Sequence, residues 1–203
     1  VIDDHSTDDT WSILEAYAVL HPGIRPLKVD RMTYKSSKKS ALETGILMAS
    51  GSLLLLTDAD TVPPSGWIQS IVNRFTPGTG LVAGFSPQTV PDKPLWNNIL
   101  FVDSLAAAFV SAATIGWGRG VTCTGRNLAY RKQAYKDVQG FSSTPDQLSG
   151  DDDFLLSSIA RHPVWQVTYT FQRKSCVPAQ GPPTLKAFWK QKRRHLSAGR
   201  SYS

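Results

Sequence analysis

Cysteine is scarce in this chain, and Cys123 and Cys176 are the only two among 203 residues. Two cysteines are too few to indicate a disulfide framework or a zinc site, so we expect both to be buried thiols. Internal repeats and low-complexity tracts are also lacking, and the composition is that of an ordinary globular protein. A chain of this length can bury a sizeable core.

A long hydrophobic run without polar residues is absent too. The most apolar stretch, 99–116, is rich in alanine and serine and contains Asp103. That composition argues against a membrane span and favours a buried helix. The chain starts at Val1, inside a predicted strand, so we expect it to be part of a longer protein. The lack of a targeting segment here then says nothing about that protein.

Acidic residues are fewer than basic ones, 16 against 22, and the net charge of +6 is unevenly distributed. Carboxylates cluster before residue 10 and at 151–153, whereas basic residues cluster after residue 185. The basic end is therefore expected to meet an anionic partner such as phosphate, a membrane surface or nucleic acid. Aromatic residues are not interleaved with these charges as base stacking would require, so we expect no nucleic-acid partner.

Predicted strands alternate with predicted helices over most of the sequence. This alternation predicts an α/β sandwich with a mostly parallel sheet. Strands are expected at the start of the chain and within 27–29, 52–60, 80–85, 128–130 and 164–171, and helices near 8–21, 40–50, 67–75, 95–115, 132–138, 154–161 and 184–198.

The apolar run 53–56 leads directly into two carboxylates, Asp58 and Asp60. Residues two apart in an extended strand project to the same face, so both carboxylates are expected together at the sheet edge where α/β proteins bind ligands. Two hard anionic side chains suit Mg²⁺ or Mn²⁺, with phosphate completing the coordination. We assign direct metal contact to Asp60 and place Asp58 nearer the sugar or phosphates of a ligand. Solvated aspartates at a strand end are the simpler alternative.

Two further groups could contact a nucleotide. Asp3 and Asp4 end the first predicted strand, where an aspartate can accept hydrogen bonds from a nucleobase or ribose, and we assign that role to Asp4. Capping of the next helix is the alternative explanation. Lys35, Lys38 and Lys39 precede a predicted helix N-terminus, which already favours an anion, so one of them could meet a diphosphate. A solvated lysine loop is the alternative.

Three consecutive acids, Asp151, Asp152 and Asp153, stand at the start of a predicted helix. The helix dipole alone can explain acids at this position. The functional interpretation makes one of them a general base, because crowding among carboxylates suits proton abstraction near neutral pH. The residues by themselves do not choose among the three.

The last predicted helix is basic and amphipathic, and it carries Gln191, Arg194 and His195. Spacings of three and four residues place these side chains on one face. Arg194 can bind phosphate through two parallel N–H···O hydrogen bonds and would stabilise a leaving diphosphate. A basic helix lying on an anionic membrane surface is compatible with that interpretation.

Taken in order, these segments resemble the family 2 glycosyltransferases, inverting enzymes with the GT-A fold, over nearly the whole chain. The matching segments are Asp3-Asp4-His5-Ser6 for the nucleotide-binding strand end, Lys38-Lys39-Ser40-Ala41-Leu42 with Gly45 for the lysine-containing helix start, Asp58-Ala59-Asp60 for the metal motif, Cys123 to Tyr130 for the Gly-x-Asn segment, Gly150-Asp151-Asp152 for the acidic motif and Gln191 to His195 for a Gln-x-x-Arg-Trp motif.

The resemblance implies a GT-A fold with a mixed, mostly parallel sheet flanked by helices. It implies a single domain over 1–203 that lacks its first strand and continues into transmembrane helices. A divalent metal cofactor and a nucleotide-sugar donor are implied as well. By analogy the donor is a UDP-sugar, and GDP- and dTDP-sugars are the alternatives. The transferred hexosyl or N-acetylhexosaminyl group would pass to a glycan or lipid-linked glycan at the cytoplasmic face of a membrane, as in synthesis of cell-envelope polysaccharide.

Residue roles follow from the resemblance as well. Asp152 falls on the position of the catalytic base, with Asp151 and Asp153 beside it, and Arg194 would stabilise the leaving group. His195 stands where the motif has tryptophan, so a stacking role is not implied for it. The other implied roles are nucleotide binding at Asp3, Asp4, Lys38 and Asp58, metal binding at Asp58 and Asp60, and acceptor or diphosphate binding at Gly125, Asn127, Gln191, Arg194 and His195.

Two other functions compete with this interpretation. Phosphatases of the haloacid dehalogenase type also carry Asp-x-Asp after an apolar strand, and Asp58 would be their nucleophile. That nucleophile normally follows the first strand, however, whereas a strand and two helices are predicted before Asp58. A non-catalytic adaptor that binds nucleic acid or anionic lipid is supported only by the basic C-terminal helix and by a pI near 9.4.

Overall fold

The computed structural model describes residues 1–29, 33–143 and 150–199, with side chains described up to 142 in the second range and up to 193 in the third. The chain divides into two compact units. Of the described residues, 1–29, 33–50 and 141–143 belong to the first unit, and 51–140 and 150–199 belong to the second.

The first unit contains a short parallel pair of strands and two helices. In chain order its elements are β1 (Ile2–Asp3), α1 (Thr10–Leu20), β2 (Leu27–Lys28) and α2 (Ser37–Met48). The α2 helix begins before the predicted start at residue 40 because the Ser36 side chain accepts a hydrogen bond from the Lys39 amide and caps it. Gly45 lets α2 approach β1 closely, since a Cβ there would overlap the Ile2 side chain.

The second unit is built on a mixed sheet. In chain order its elements are β3 (Leu53–Leu56), α3 (Trp67–Val72), β4 (Thr79–Gly84), β5 (Gln88–Thr89), α4 (Pro94–Gly116), β6 (Leu128–Arg131), α5 (Lys132–Asp137), α6 (Asp151–Arg161), β7 (Gln166–Thr170), β8 (Ala179–Gln180) and α7 (Leu185–Gly199). Four strands pair in the order β3-β6-β4-β7. Strands β3, β4 and β7 run in one direction and β6 runs against them. The predicted α/β class with a mostly parallel sheet is confirmed.

One part of the core of the second unit lies between α3 and this sheet. Trp67 and Ile71 of α3 pack against Val82, Ala129 and Val177. Strand β4 is buried at every residue because it has a neighbour on each side and helices over it. Strand β3 is only half-buried, in contrast to the buried strand expected there, because it stands at one end of the four-strand order.

Among the residues that the structure describes, protein covers the α4 helix on one side only. Leu100, Ala108, Ser111 and Ile115 are buried, and large apolar residues on the opposite side are exposed. The prediction of a buried helix in this segment is therefore wrong. In the described part of the chain, α4 is the one helix that is long and apolar enough to cross a membrane.

Candidate active site

Asp58 and Asp60 lie in a turn just beyond β3. The strand ends at Leu56, and the amide and hydroxyl of Thr61 donate hydrogen bonds to the Asp58 carbonyl oxygen, at 3.2 and 2.7 Å. The hydroxyls of Thr57 and Thr61 lie 2.6 Å apart and close the turn. The prediction that an extended strand presents both carboxylates on one face is therefore wrong, because the backbone has already left the strand at Asp58.

Arg126 connects these aspartates to a third carboxylate. It lies in a 3₁₀ turn, Gly125–Asn127, and its half-buried guanidinium interacts electrostatically with Asp58, Asp60 and Asp152. Burial lowers the pKa of the Arg126 guanidinium, and the three carboxylates oppose that shift. We call these four side chains the Arg126 cluster. Three carboxylates and one guanidinium give the cluster a formal charge of −2.

Asp152 belongs to the first turn of α6 and lies against the Gly125 turn. Gly150, which precedes the helix, has a φ of 87°, a left-handed conformation that glycine adopts without strain. A Cβ at Gly125 would overlap the Asp152 carboxylate and would lie 2.7 Å from its Cγ. Glycine at position 125 is therefore what allows the Asp152 side chain to lie this close to the backbone.

The two neighbouring acids have different surroundings. Asp153 Oδ1 accepts a hydrogen bond from the Cys123 amide at 2.8 Å, which ties α6 to the segment before the Gly125 turn. Asp151 is buried. The Asp152 carboxylate interacts electrostatically with the Arg126 guanidinium.

The Cys123 thiol lies beside the same helix start. Its Sγ donates to the Asp152 carbonyl oxygen at 3.4 Å. Burial raises the pKa of the Cys123 thiol well above its usual value, and the charges of Asp152 and Asp153 add to the shift. The thiol is therefore protonated at neutral pH. Cys123 and Cys176 are both half-buried residues, so the prediction that both are buried is wrong.

Sequence reasoning assigned no role to Arg126. The signal was its position between Gly125 and Asn127, in the segment matched to the Gly-x-Asn motif. A cation placed there can balance acids that two other motifs contribute, but which acids it meets depends on contacts far apart in the sequence.

Asn127 holds the Gly125 turn in place. Its buried side chain accepts a hydrogen bond from Trp67 Nε1 at 3.0 Å and donates to the carbonyl oxygens of Phe85 and Ser175 at 2.8 and 2.7 Å. These bonds fix the turn to α3 and to two segments of the second unit. The structure thus gives Asn127 a positioning role, and its predicted contact with an acceptor stays a prediction.

The first unit carries the residues predicted to bind a nucleotide. Asp3 is buried, and its Oδ1 has no hydrogen-bond partner among the described residues. Asp4 is exposed, with Oδ1 3.3 Å from His5 Nδ1. Lys38 is exposed in the first turn of α2, whereas Lys39 is fully buried. An unpaired carboxylate oxygen is costly to bury, so Asp3 is the residue here that most needs a donor from a ligand.

The α7 helix carries the last predicted group. Gln191 is half-buried, and its Oε1 is buried without a hydrogen-bond partner among the described residues. Lys192 Nζ forms an ion pair with Asp103 Oδ2 of α4 at 2.5 Å. The side chains of Arg194 and His195 lie outside the described part of the chain.

Within the described residues, no three histidine, cysteine, aspartate or glutamate side chains form a group that could hold a metal ion. Asp58 and Asp60 thus offer at most two carboxylates. Mg²⁺ commonly binds one or two protein carboxylates together with water and substrate phosphates, so this donor set fits such an ion.

Comparisons with solved structures identify the fold. Glucosyl-3-phosphoglycerate synthase from Mycobacterium tuberculosis, in complex with phosphoglyceric acid, is similar with a TM-score of 0.61 and 18% identity, over 99% of this chain and 67% of that chain. Its complex with Mn²⁺ and uridine-diphosphate-glucose gives 0.59 and 18%, over 98% and 65%. S. aureus TarS gives 0.57 and 16%, over 98% and 54%. This chain therefore spans between about half and two thirds of those proteins, and the similarity shows the GT-A fold.

Sequence comparison identifies the family. No curated protein sequence matched the chain. A family model described as glycosyl transferase family 2 matches residues 1–139, which is more than half of the 203 residues. The chain therefore belongs to glycosyl transferase family 2.

Proposed function

We propose that this chain is the catalytic domain of an inverting glycosyltransferase, which moves a sugar from a UDP-sugar to a hydroxyl group of a glycan or lipid-linked glycan. The Arg126 cluster carries the proposal, because the acids that follow β3 and an acid that begins α6 all act electrostatically on the same guanidinium. Membership of glycosyl transferase family 2 supports the reaction class. A similar structure in complex with Mn²⁺ and uridine-diphosphate-glucose supports the choice of donor and metal.

Asp58 and Asp60 are the proposed ligands of Mg²⁺ or Mn²⁺. The formal charge of the Arg126 cluster, −2, would balance the +2 charge of a divalent cation. When bound, such an ion supplies positive charge that neutralises the departing nucleoside diphosphate. Asp58 is proposed to lie nearer the sugar and phosphates of the donor, and Asp60 to make the direct metal contact.

Asp3, Asp4 and Lys38 are the proposed nucleotide-binding residues of the first unit. The buried Oδ1 of Asp3, which has no hydrogen-bond partner in the part of the chain that the structure describes, supports the proposal, because an N–H group of a base or a hydroxyl group of a ribose would satisfy it. Asp4, which the sequence favoured for this contact, is more exposed than Asp3. We therefore assign the base or ribose contact to Asp3 first and to Asp4 second.

Asp152 is the proposed catalytic base. Its carboxylate takes the proton of the acceptor hydroxyl while the oxygen of that hydroxyl attacks the anomeric carbon. The bond between this carbon and the diphosphate oxygen breaks in the same step, so the diphosphate leaves with the bonding electrons and the anomeric configuration inverts. Asp153 is engaged by the Cys123 amide and Asp151 is buried, which favours Asp152 over both as the base.

Five residues are proposed to bind the acceptor or the diphosphate: Gly125, Asn127, Gln191, Arg194 and His195. Gly125 lies against the base, and the buried Oε1 of Gln191 lacks a hydrogen-bond partner in the described part of the chain. The Gln191 oxygen supports a ligand close by, because a buried acceptor is normally hydrogen-bonded. Arg194 is proposed to stabilise the leaving diphosphate together with the metal site.

The transferred sugar is proposed to be a hexosyl or N-acetylhexosaminyl group. A phosphatase that uses Asp58 as its nucleophile would account for neither the family match nor the approach of Asp152 to Gly125. A non-catalytic adaptor would leave the Arg126 cluster without a purpose. Both alternatives are therefore set aside.

We place the enzyme at the cytoplasmic face of a membrane, within an integral membrane protein that makes cell-envelope polysaccharide. Three exposed basic residues on α7, Lys186, Lys190 and Arg193, support contact with an anionic surface. A lipid-linked acceptor would be presented at such a surface.

The reaction is tested by UDP release from a panel of UDP-sugars in the presence of Mn²⁺. Asp152→Asn should lower kcat by about 10²–10⁴-fold, the usual loss for a positioned base, whereas calorimetric binding of UDP with Mn²⁺ should weaken by no more than about tenfold, because the Arg126 cluster becomes one charge less negative. Asp153→Asn is the matched control, because an asparagine oxygen can still accept the Cys123 amide hydrogen bond. Full activity of Asp152→Asn, or an equal loss in both variants, would remove Asp152 from the role of base.

A further inference from the structure

The exposed side of α4 carries a continuous apolar stripe that the proposed reaction does not use. Leu95, Val102 and Phe109 are 81%, 63% and 70% exposed, and Ile99 and Ala106 between them are exposed as well. Successive spacings of four, three, four and three residues place all five on one helix face. We call these five residues the α4 stripe.

The opposite face of α4 is held against the second unit. Leu100 is fully buried there, the Gln88 amide donates to Ser104 Oγ at 3.1 Å, and Ser111 Oγ donates to the Thr122 carbonyl oxygen at 2.5 Å. Since these contacts occupy one side of the helix, the α4 stripe faces away from the core. A helix held in this way is suited to lie along a membrane surface rather than to cross the bilayer.

The basic helix α7 flanks the stripe. Asp103 pairs with Lys192, and Trp96 packs edge-on against Phe188 with ring centroids 5.9 Å apart. Because an α-helix turns about 100° per residue, Asp103 and Trp96 lie on the flank of α4, between the buried side that carries Leu100 and the α4 stripe. The two helices therefore present adjacent surfaces.

The exposed surface of α7 combines positive charge with an aromatic side chain. Lys186, Lys190 and Arg193 are exposed, and Trp189 among them is 60% exposed. Trp117, immediately after α4, is 80% exposed. Apolar residues beside cations and interfacial tryptophans are the composition of helices that lie in the headgroup region of an anionic bilayer.

We propose that the α4 stripe inserts into the interface of an anionic phospholipid membrane, with α4 parallel to the surface and the α7 cations on the lipid headgroups. The positive charge beside the stripe is complementary to such a membrane and gives no reason for a second, equally positive copy of this chain to bind there. A further consequence rests on the proposed function. Because Ser111 ties α4 to Thr122, docking would hold the Gly125 turn near the surface at which a lipid-linked acceptor lies.

Vesicle sedimentation with the full chain tests the docking without any transfer activity. The chain should bind phosphatidylcholine vesicles that contain phosphatidylglycerol about 100-fold more tightly than phosphatidylcholine alone, since three exposed cations each contribute about fivefold. Val102→Gln/Phe109→Gln should weaken binding to the anionic vesicles at least about tenfold, because two apolar side chains leave the bilayer. Val164→Gln is the matched control, since Val164 is 63% exposed, as Val102 is, but lies between α6 and β7.

Tryptophan quenching gives a second readout. Brominated phospholipids should quench the fluorescence of the wild-type chain, and Trp117→Phe should lose much of that quenching. The proposal is overturned if the wild-type chain binds neither kind of vesicle, or if the stripe variant and Val164→Gln bind equally well. It is also overturned if sedimentation equilibrium shows that the wild-type chain is a dimer and that Val102→Gln/Phe109→Gln is a monomer. The α4 stripe would then bind a second copy of the chain.

Discussion

Replacing Gly125 with alanine tests whether the Asp152 carboxylate must lie against the Gly125 turn. The new Cβ would overlap the carboxylate and would stand 2.7 Å from Cγ and 2.8 Å from Oδ1 of Asp152. Non-bonded carbon atoms rest about 3.5–4.0 Å apart, so the carboxylate must retreat by roughly 1 Å. A displacement of that size at a reacting group lowers the rate by about 10²-fold.

The stability of the fold should change little in the same variant. Moving the Asp152 side chain away from its preferred rotamer costs about 0.5–1.5 kcal/mol. Exchange of glycine for alanine offsets this by about 0.4–1 kcal/mol, because the unfolded chain becomes less flexible. Gly125 is not among the glycines with positive φ, so alanine meets no backbone strain. The net change should stay below about 1 kcal/mol, equivalent to a Tm shift below about 4 °C.

Both quantities can be measured on one preparation. The kcat of UDP release with Mn²⁺ reports the placement of Asp152, and calorimetric melting reports the fold. Gly116→Ala is the matched control, because nothing lies within 4 Å of a Cβ at that position. A Gly125→Ala enzyme with wild-type kcat and Tm would refute the argument that this glycine positions Asp152.

Three further predictions follow from the same contacts. Arg126→Gln should tighten binding of Mn²⁺ alone about tenfold, because the cluster becomes one charge more negative; weaker binding in an electron-paramagnetic-resonance titration would contradict this. Burial, with help from the Asp152 charge, raises the pKa of the Cys123 thiol, so Asp152→Asn should lower that pKa and speed alkylation of Cys123 by iodoacetamide near neutral pH; an unchanged rate, followed by mass spectrometry, would disprove it. Lys192→Gln should reduce the free energy of unfolding in urea by about 0.5–1 kcal/mol, because the ion pair with Asp103 is lost. Adding Asp103→Asn to this variant should reduce the free energy of unfolding no further; a further loss in the double variant would contradict the ion pair.

Local patterns were enough to predict most elements of the fold. Strand β7 and helix α7 fall within two residues of the ranges predicted for them, 164–171 and 184–198. Alternation of apolar and polar residues predicts β7, and helical periodicity predicts α7. Neither prediction needs knowledge of distant contacts. The family match confirms the family that the ordered motifs implied.

Features that depend on distant contacts were not predicted. The turn at Asp58 is closed by Thr57 and Thr61 hydroxyls, which a reading of strand alternation does not consider. The exposed side of α4 was missed because an apolar helix has the same composition whether protein covers one side of it or both. Arg126 acquires its role only when α6 brings Asp152 to it from 26 positions further along the chain.

Calorimetric titration of UDP in the presence of Mn²⁺ tests most directly whether the Arg126 cluster is a metal-dependent donor site. The wild-type chain should bind UDP with Mn²⁺ and lose most of that affinity when EDTA removes the ion. Asp60→Ala should weaken the Mn²⁺-dependent binding at least about tenfold, as expected when a group that helps to hold the metal is removed. Equal UDP binding by wild type and Asp60→Ala, with or without Mn²⁺, would contradict the account.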